Sequence, residues 1–429
     1  MMAVMTVLAW ACFSPAVVFG QGTTWAGESL AQMVESARWK MGTLRINAAL
    51  QVINAGYDSD IYYGYLAEPT PDFTLSASAP VQFLLPVSKK VVLDVFDSPQ
   101  YIFYLDTKRE RSWNNSFRGR VHVALDRLYL QAGGGLENIR RRLSPELNIN
   151  IRQKANTLGG LALWQASREV SLALLYGGAR YSYGDSESGG LSIADTLDRK
   201  ENYFDIVAYF QPNPRIRFNL DGQYGTYFFR VEASRNTRSY GVLGGVDFIP
   251  RTSEGRPTRG VGGSVRLGYM VFDIIDPVLV DASNLVGEAM IFAELIRLTT
   301  ARTFFSRSFQ FSVYSGSAYY LSTRYGGGIT RRLSRRIYVS YDISFIRSSY
   351  PQGDPNAGIP GAAFHRYIAH EFSLGIRLVR NLEITLLGSL GKRTLSSAGL
   401  SRNRNFFGIN LVYGAQMGNI VAPIGGLSP

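Results

Sequence analysis

Residues 381–391, NLEITLLGSLG, place Leu382, Ile384, Leu386 and Leu390 on one side of an extended chain and Glu383, Thr385 and Ser389 on the other. Alternation with a period of two marks a strand whose two faces meet different media. The pattern returns in RIYVSYDISF at 336–345, where Ile337, Val339, Tyr341, Ile343 and Phe345 oppose Ser340, Asp342 and Ser344. It returns again in IRFNLDGQY at 216–224, with Ile216, Phe218 and Leu220 set against Arg217, Asn219, Asp221 and Gln223. FRGRVHVAL at 117–125 and SFQFSVY at 308–314 read the same way.

Between these runs the connections alternate in length. Short ones fall at Ser88-Lys89, Asp126-Arg127, Ser167-Arg168, Pro212-Asn213-Pro214, Ser334-Arg335 and Arg380-Asn381. A somewhat longer one runs through PRTSEGRPT from Pro250, and an eighth is expected between Thr300 and Ser308. Long polar stretches lie between them, among them AGYDSDIYYGYLAEPTPD, DTKRERSWNN, ENIRRRLSPELNINIRQKA, GDSESGGLSIADTLDRKE and SSYPQGDPNAGIPGAA. Short turns at one rim and long loops at the other are the layout of outer-membrane barrels. Eight short turns pair sixteen strands, and a first strand near 44–54 and a last near 405–413 bring the expected count to about 18, with 16 to 20 as the range.

A sheet can span hydrocarbon only if it closes on itself, because every backbone N–H and C=O must be paired within the protein. The runs reach the 9 to 11 residues that a tilted strand needs to cross the core. A soluble sandwich would hide its apolar faces in a core and use shorter strands. The expected fold is therefore all-β: one closed antiparallel transmembrane barrel over residues 41–414, with short periplasmic turns and long extracellular loops.

The other ends are read separately. Residues 1–20 are almost wholly apolar and end in Val18-Phe19-Gly20 before a cut at Gln21, the arrangement of a secretory signal peptide, while Ser14 and Pro15 argue against a retained helix. No Lys or Arg precedes the apolar run, so a start codon further upstream is expected. Residues 21–40 form a periplasmic N-terminal segment; in GESLAQMVESARW the helical spacing of Leu30, Met33 and Val34 predicts a short periplasmic or plugging helix, with an ordered linker as the alternative. The tail 415–429 shows no period.

Composition narrows the chemistry. Charged residues make up 18% of the 429, aromatics 13%, and glycines number 44; ordinary soluble domains carry about 25% charge. The single cysteine, Cys12, lies in the signal, so the mature chain has no thiolate chemistry. The three histidines are His122, His365 and His370, and the last two lie five apart, on opposite faces of one strand. No metal, cofactor or catalytic residue is expected, and the protein is read as not an enzyme. The net charge of +12 would suit nucleic acid, but export argues against that partner.

The glycine clusters 133–135, 260–268 and 326–328 lie within strands and lead into no helix, so they read as pleat relief rather than phosphate loops. Tyr101, Phe103, Tyr104, Tyr181, Tyr183, Tyr227, Phe228 and Phe229, near strand ends, are expected in interfacial girdles. The polar faces predict the pore lining: Asp94, Arg118, Arg120, His122, Gln131, Arg217, Asn219, Asp221, Gln223, Gln310, Asp342, Arg377 and Glu383. Such charges cannot be buried dry without partners, and a barrel of this size can enclose water. Arginines at 140–142 in a loop, and Arg331, Arg332, Arg335 and Arg336 beside a turn, suit either lipid or lipopolysaccharide phosphates or an anion-attracting vestibule.

INAALQVINAGYDSDIYYG and DFTLSASAPVQFLLP resemble the opening of the family named putative β-barrel porin 2. Tyr57, Asp58 and Ser59 match its first loop, Asp60 stands where asparagine is commoner, and Ala79-Pro80 supplies its small-residue–proline pair. The closing strand NFFGINLVY is similar to the signal read by the barrel-assembly machinery, with Gly408, Leu411 and Tyr413 in place. Phe406 replaces the polar residue that opens that signal, and the chain continues beyond it. The resemblance implies general permeation or exopolysaccharide export in the Gram-negative outer membrane.

Together these readings predict an outer-membrane porin-like channel for passive diffusion of small hydrophilic solutes, with an anion bias. An exopolysaccharide export conduit working with periplasmic partners, and a plugged barrel with a structural or adhesive role, stand as alternatives. Association into a homo-oligomer is left open.

Overall fold

The computed structural model describes residues 26–414, apart from 64–67, 143–145, 147–148, 185–186, 189–190, 250–251, 254–255, 258–259, 277–280, 314–317, 351–363, 380 and 396–398. The expected signal 1–20 and the tail 415–429 lie outside the described residues.

Helix α1 (Ala26–Glu35) comes first, followed by a short arm, Trp39–Met41, that pairs back onto the first stave. The staves are β1 (Leu44–Asp58), β2 (Asp72–Ser78 and Val81–Pro86), β3 (Val91–Asp97 and Gln100–Tyr104), β4 (Ser112–Ala124), β5 (Leu128–Arg141) and β6 (Ile151–Gln165). They continue as β7 (Val170–Tyr183), β8 (Arg199–Asn213), β9 (Ile216–Phe229), β10 (Thr237–Phe248), β11 (Val261–Ile274) and β12 (Ala282–Ile296). The last six are β13 (Thr299–Phe311), β14 (Tyr319–Arg332), β15 (Ile337–Ser349), β16 (Phe364–Val379), β17 (Leu382–Leu395) and β18 (Leu400–Gly414). A short helix, α2 (Ile193–Leu197), lies between β7 and β8.

Each stave pairs antiparallel with the next, and β1 pairs with β18 from Ala49↔Gly414 to Asp58↔Phe406, closing the sheet. The 21 segments of this sheet are 18 staves once β2 and β3 are each counted whole and the N-terminal arm is set aside. No free edge is left around the wall, as hydrocarbon demands.

The outward row is apolar over most of the wall. Leu158, Leu174, Ile206, Phe218, Leu220, Val242, Leu267, Leu285, Ile329, Phe372, Leu386 and Phe407 are all exposed. Their in-plane neighbours, such as Leu161, Ala173, Val207 and Asn219, are buried. An exposed apolar row on stave after stave makes sense only against lipid.

The expected short turns at Ser88-Lys89, Asp126-Arg127, Ser167-Arg168 and Ser334-Arg335 fall between staves as the sequence places them, the 212–214 turn shifts to 214–215 because β8 runs through Asn213, and Arg380 and much of the connection from Pro250 lie outside the described residues. The β12–β13 turn is Arg297-Leu298 rather than within Thr300–Ser308, which lies inside β13. Leu298 adopts φ 69°, a left-handed conformation that leucine rarely takes, so no turn residue advertises it. The first stave also runs four residues past Asn54, which sits at φ 52° in a bulge whose N–H is accepted by Asn410 Oδ1 at 2.7 Å.

Candidate functional site

The chemistry available to this barrel lies in its interior, and the interior is narrowed at both rims. At the short-turn rim, α1 lies inside the wall. Its Leu30 and Val34, both buried, pack on an apolar patch made by inward-facing Leu84, Val92, Tyr129, Leu161, Leu163, Ala173, Leu175, Val207 and Tyr209. Helical spacing of three and four puts Leu30, Met33 and Val34 on one stripe, and that stripe is the one buried.

At the long-loop rim the end of the β13–β14 hairpin leaves the wall. The Phe311 ring lies 5.0 Å from Tyr227 and 5.1 Å from Phe229, both on β9, with β10, β11 and β12 between them along the wall. Such a contact can run only through the interior. Val313 carries the hairpin on to Ile151, Ala155, Tyr181 and the α2 residues Ile193 and Leu197. The tip is fastened by Glu146, which accepts from Ser312 Oγ at 2.8 Å and Val313 N at 2.7 Å, and by buried Arg235, which donates to Ser312 O at 2.7 Å.

Residues 59–63 fold inward as well. Buried Tyr63 meets Tyr367 of β16 edge-on at 5.9 Å, and its carbonyl accepts from Arg393 Nη1 of β17 at 2.8 Å. Burial pushes the Tyr63 phenol well above its usual range, so it stays neutral. Arg404 of β18 holds Asp58 at 2.5 Å, and Arg402 holds Asp60 at 2.6 Å.

Between these closures lies a cavity of about 1040 Å³. Its charged lining consists of Arg118, Arg140, Arg141, Arg142, Arg302 and Arg404 against Asp58, Glu137, Asp342 and Glu371. Two of the acids are already paired, Asp58 with Arg404 and Asp342 with Arg302 at 2.8 Å.

Of the predicted lining residues, Arg118 and Asp342 border this cavity. Asp94, His122 and Gln131 face inward too but are buried, with Gln82 donating to Asp94 at 2.9 Å and Tyr129 bonded to His122 Nδ1 at 2.7 Å. Arg120 sits opposite Asp94 in the ladder. Arg217 is buried against Asp247 at 2.8 Å, Asn219 is buried beside it, and Asp221 accepts from Gln223 at 2.8 Å. Gln310 lies on the inward hairpin, donating to Ser308 Oγ at 3.1 Å. Arg377 and Glu383 pair at 3.5 Å near the 380–381 turn, where Tyr338 also donates to Glu383 at 2.9 Å. Water was expected to solvate this row; partners on neighbouring staves satisfy much of it instead.

Three further expectations are corrected. Tyr181, Tyr183, Tyr227 and Phe229 face inward and receive the folded loops, Tyr104 borders the cavity, and Phe228 is exposed to lipid. Phe309 and Phe311 of SFQFSVY likewise pack on the inner wall rather than against lipid, because the hairpin has left the barrel. Arg140 and Arg141 end β5 instead of standing in a loop, and Arg140 meets Glu110 at 3.2 Å. Asp58, Glu137, Arg302, Glu371 and Arg404 were missed as lining. Arg402 and Arg404 alternate in SRNRNFF, so extending the last strand back to Leu400 would have found them.

The family model described as "Putative beta-barrel porin 2" matches residues 92–413. The chain belongs to that family. It is an outer-membrane porin by fold and membership. Among solved structures this porin is similar to OccK2 (OpdF) of Pseudomonas aeruginosa, with a TM-score of 0.50 and 12% identity over 86% of this chain and 98% of that one. A BenF-like porin from Pseudomonas fluorescens Pf-5 gives 0.49 and 10% over 87% and 99%. OpdO of Pseudomonas aeruginosa gives 0.49 and 10% over 86% and 96%. At such identities the likeness concerns the barrel fold alone. No curated protein matches this porin.

Proposed function

We propose that this porin is a passive channel for small hydrophilic solutes with a preference for anions, exported by its N-terminal signal and inserted through Gly408, Leu411 and Tyr413 of β18. The carrying observation is the cavity's lining: once Asp58 is paired with Arg404, Asp342 with Arg302 and Arg140 with Glu110, Arg118, Arg141 and Arg142 stand against Glu137 and Glu371. In a space of low dielectric, unbalanced guanidinium groups lower the energy of an anion and raise that of a cation.

Planar-bilayer recordings test this reading. Under a tenfold KCl gradient the reversal potential should report anion selectivity, and Arg118→Gln with Arg141→Gln should reduce it by more than half. A barrel that gives no current steps, or prefers potassium, sinks the proposal.

A second reading is favoured by α1 and the β13–β14 hairpin, which narrow opposite rims. In it the barrel is plugged at rest, and its loops serve a structural or adhesive role. An exopolysaccharide conduit would need both closures displaced at once.

A further inference from the structure

The outer wall of β6, β7 and β8 carries three cations that the lumen does not use. On these staves Leu158, Leu174, Tyr176, Phe204 and Ile206 are exposed, whereas Ala155, Tyr181 and Glu201 are buried, so even-numbered positions face outward. Alternation therefore turns Lys154, Arg180 and Lys200 outward, and all three are exposed. Arg180 stands directly opposite Lys200 in the β7–β8 ladder. On its other side Arg180 faces Asn156, and Lys154 faces Ser182, which makes Lys154 diagonal to Arg180. None of the three forms a salt bridge, hydrogen bond or ring contact among the described residues.

Like charges directly opposed across a strand pair destabilise it, and diagonal neighbours still interact. Further round the same rim the opposite arrangement occurs: outward Arg238 of β10 stands opposite Asp273 of β11. The carboxylates beside the cluster are already engaged. Glu201 faces inward and holds Arg199 at 2.7 Å, while buried Asp198 accepts from Tyr183 N at 2.7 Å and meets Arg230 at 3.6 Å.

Height along the wall fixes what the cluster meets. Trp164, Val170 and Phe210, exposed at the short-turn ends of β6, β7 and β8, each lie ten residues from the cation of their own stave. At roughly 3.3 Å per residue that is about 33 Å along the strand, and a tilt near 40° makes it about 25 Å of depth, the height of a barrel's apolar band. Lys154, Arg180 and Lys200 thus stand at one level, just above the hydrocarbon at the long-loop rim, where the outer leaflet places its headgroups.

We propose that Lys154, Arg180 and Lys200 bind the phosphates of an outer-leaflet glycolipid. A phosphate between Arg180 and Lys200 converts a repulsive pair into two charge-assisted contacts. Lys154, one stave further on, adds a donor for the second phosphate of a diphosphorylated disaccharide.

The test uses the full barrel purified in detergent and incubated with diphosphorylated lipid A, followed by native mass spectrometry. Wild type should retain the lipid, and Lys154→Gln/Arg180→Gln/Lys200→Gln should retain at least tenfold less, with heat-modifiable gel migration selecting folded protein. Arg238→Gln, at the same rim, should leave retention unchanged, because its charge already faces Asp273. A second arm needs no variant: wild type should fail to retain lipid A stripped of both phosphates, and 10 mM inorganic phosphate should not displace the intact lipid. Equal retention of the stripped lipid, full retention by the folded triple variant, or an equal loss in Arg238→Gln overturns the proposal. So does ready displacement by inorganic phosphate, which would make the cluster a site for free anions. Channel selectivity is not read in this assay, so the lumen reading stands or falls separately.

Discussion

Gly375 on β16 and Tyr338 on β15 are direct ladder partners, and a Cβ on Gly375 would overlap the tyrosine ring. The ring lies flat over the bare backbone, which lets the Tyr338 hydroxyl reach Glu383 at 2.9 Å. Such a glycine supplies space for an aromatic partner, a device of curved sheets. Gly328 does the same for Asp342, whose carboxylate fills the position of its missing side chain while gripping Arg302. Gly375→Val should therefore push Tyr338 off its seat and cost about 1 to 3 kcal/mol by overpacking. Gly244→Val, where a Cβ meets open space, should stay within about 0.5 kcal/mol of wild type. Urea titration of the barrel folded in vesicles measures both, and equal midpoints would show that the ring moves freely. Gly328 belongs to a glycine cluster read from the sequence as pleat relief, whereas Gly375 stands alone; in neither case does the sequence give the partner, since that depends on register. Leu298 marks the opposite case: a turn without turn chemistry is invisible until its φ is seen.

The closing element is β18, the last stave, which pairs with β17 on one side and with β1 on the other. Its ladder to β1 is broken by the bulge between Val52 and Ala55, so the seam lacks continuous pairing at that point. Arg404 to Asp58 and Arg402 to Asp60 fasten the end of β1 and the start of its loop to the strand beside them. Removing one partner of a buried pair strands the other charge, typically at about 3 to 5 kcal/mol. Arg404→Met should lower the temperature at which the folded, fast-migrating band is lost, and Asp58→Asn/Arg404→Met should recover part of the fall. A single variant as heat-stable as wild type would show that the seam does not rely on this pair. Outward rows such as Leu382–Leu386 were legible in the sequence because lipid demands them on every stave. The destination of the loops was not legible. Ile193, Leu197 and Val313 are isolated apolar residues in polar stretches, and nothing local says that they turn inward together.

At the scale of the whole molecule, α1 and the hairpin tip narrow the same path at opposite rims, so their resistances add like two constrictions in series. Widening one raises the current only until the other dominates. Leu30 and Val34 are each worth about 1.5 to 3 kcal/mol of burial, and their helical spacing foretold the stripe but not the patch that receives it. Leu30→Glu/Val34→Glu should free α1 and raise single-channel conductance. The hairpin can be held shut in the same molecule. The only cysteine lies at position 12, in the expected signal, so Glu146→Cys and Ser312→Cys, which replace a 2.8 Å hydrogen-bonded pair, give an otherwise thiol-free barrel for a short bifunctional crosslinker. If the hairpin is the narrower gate, crosslinking should abolish the gain from the α1 substitutions, and cleaving a reducible linker should restore it. If α1 governs alone, the freed channel should conduct equally with the hairpin locked or loose. A barrel whose conductance responds to neither change has its constriction elsewhere, and both closures would then be fixed parts of a permanently narrow wall.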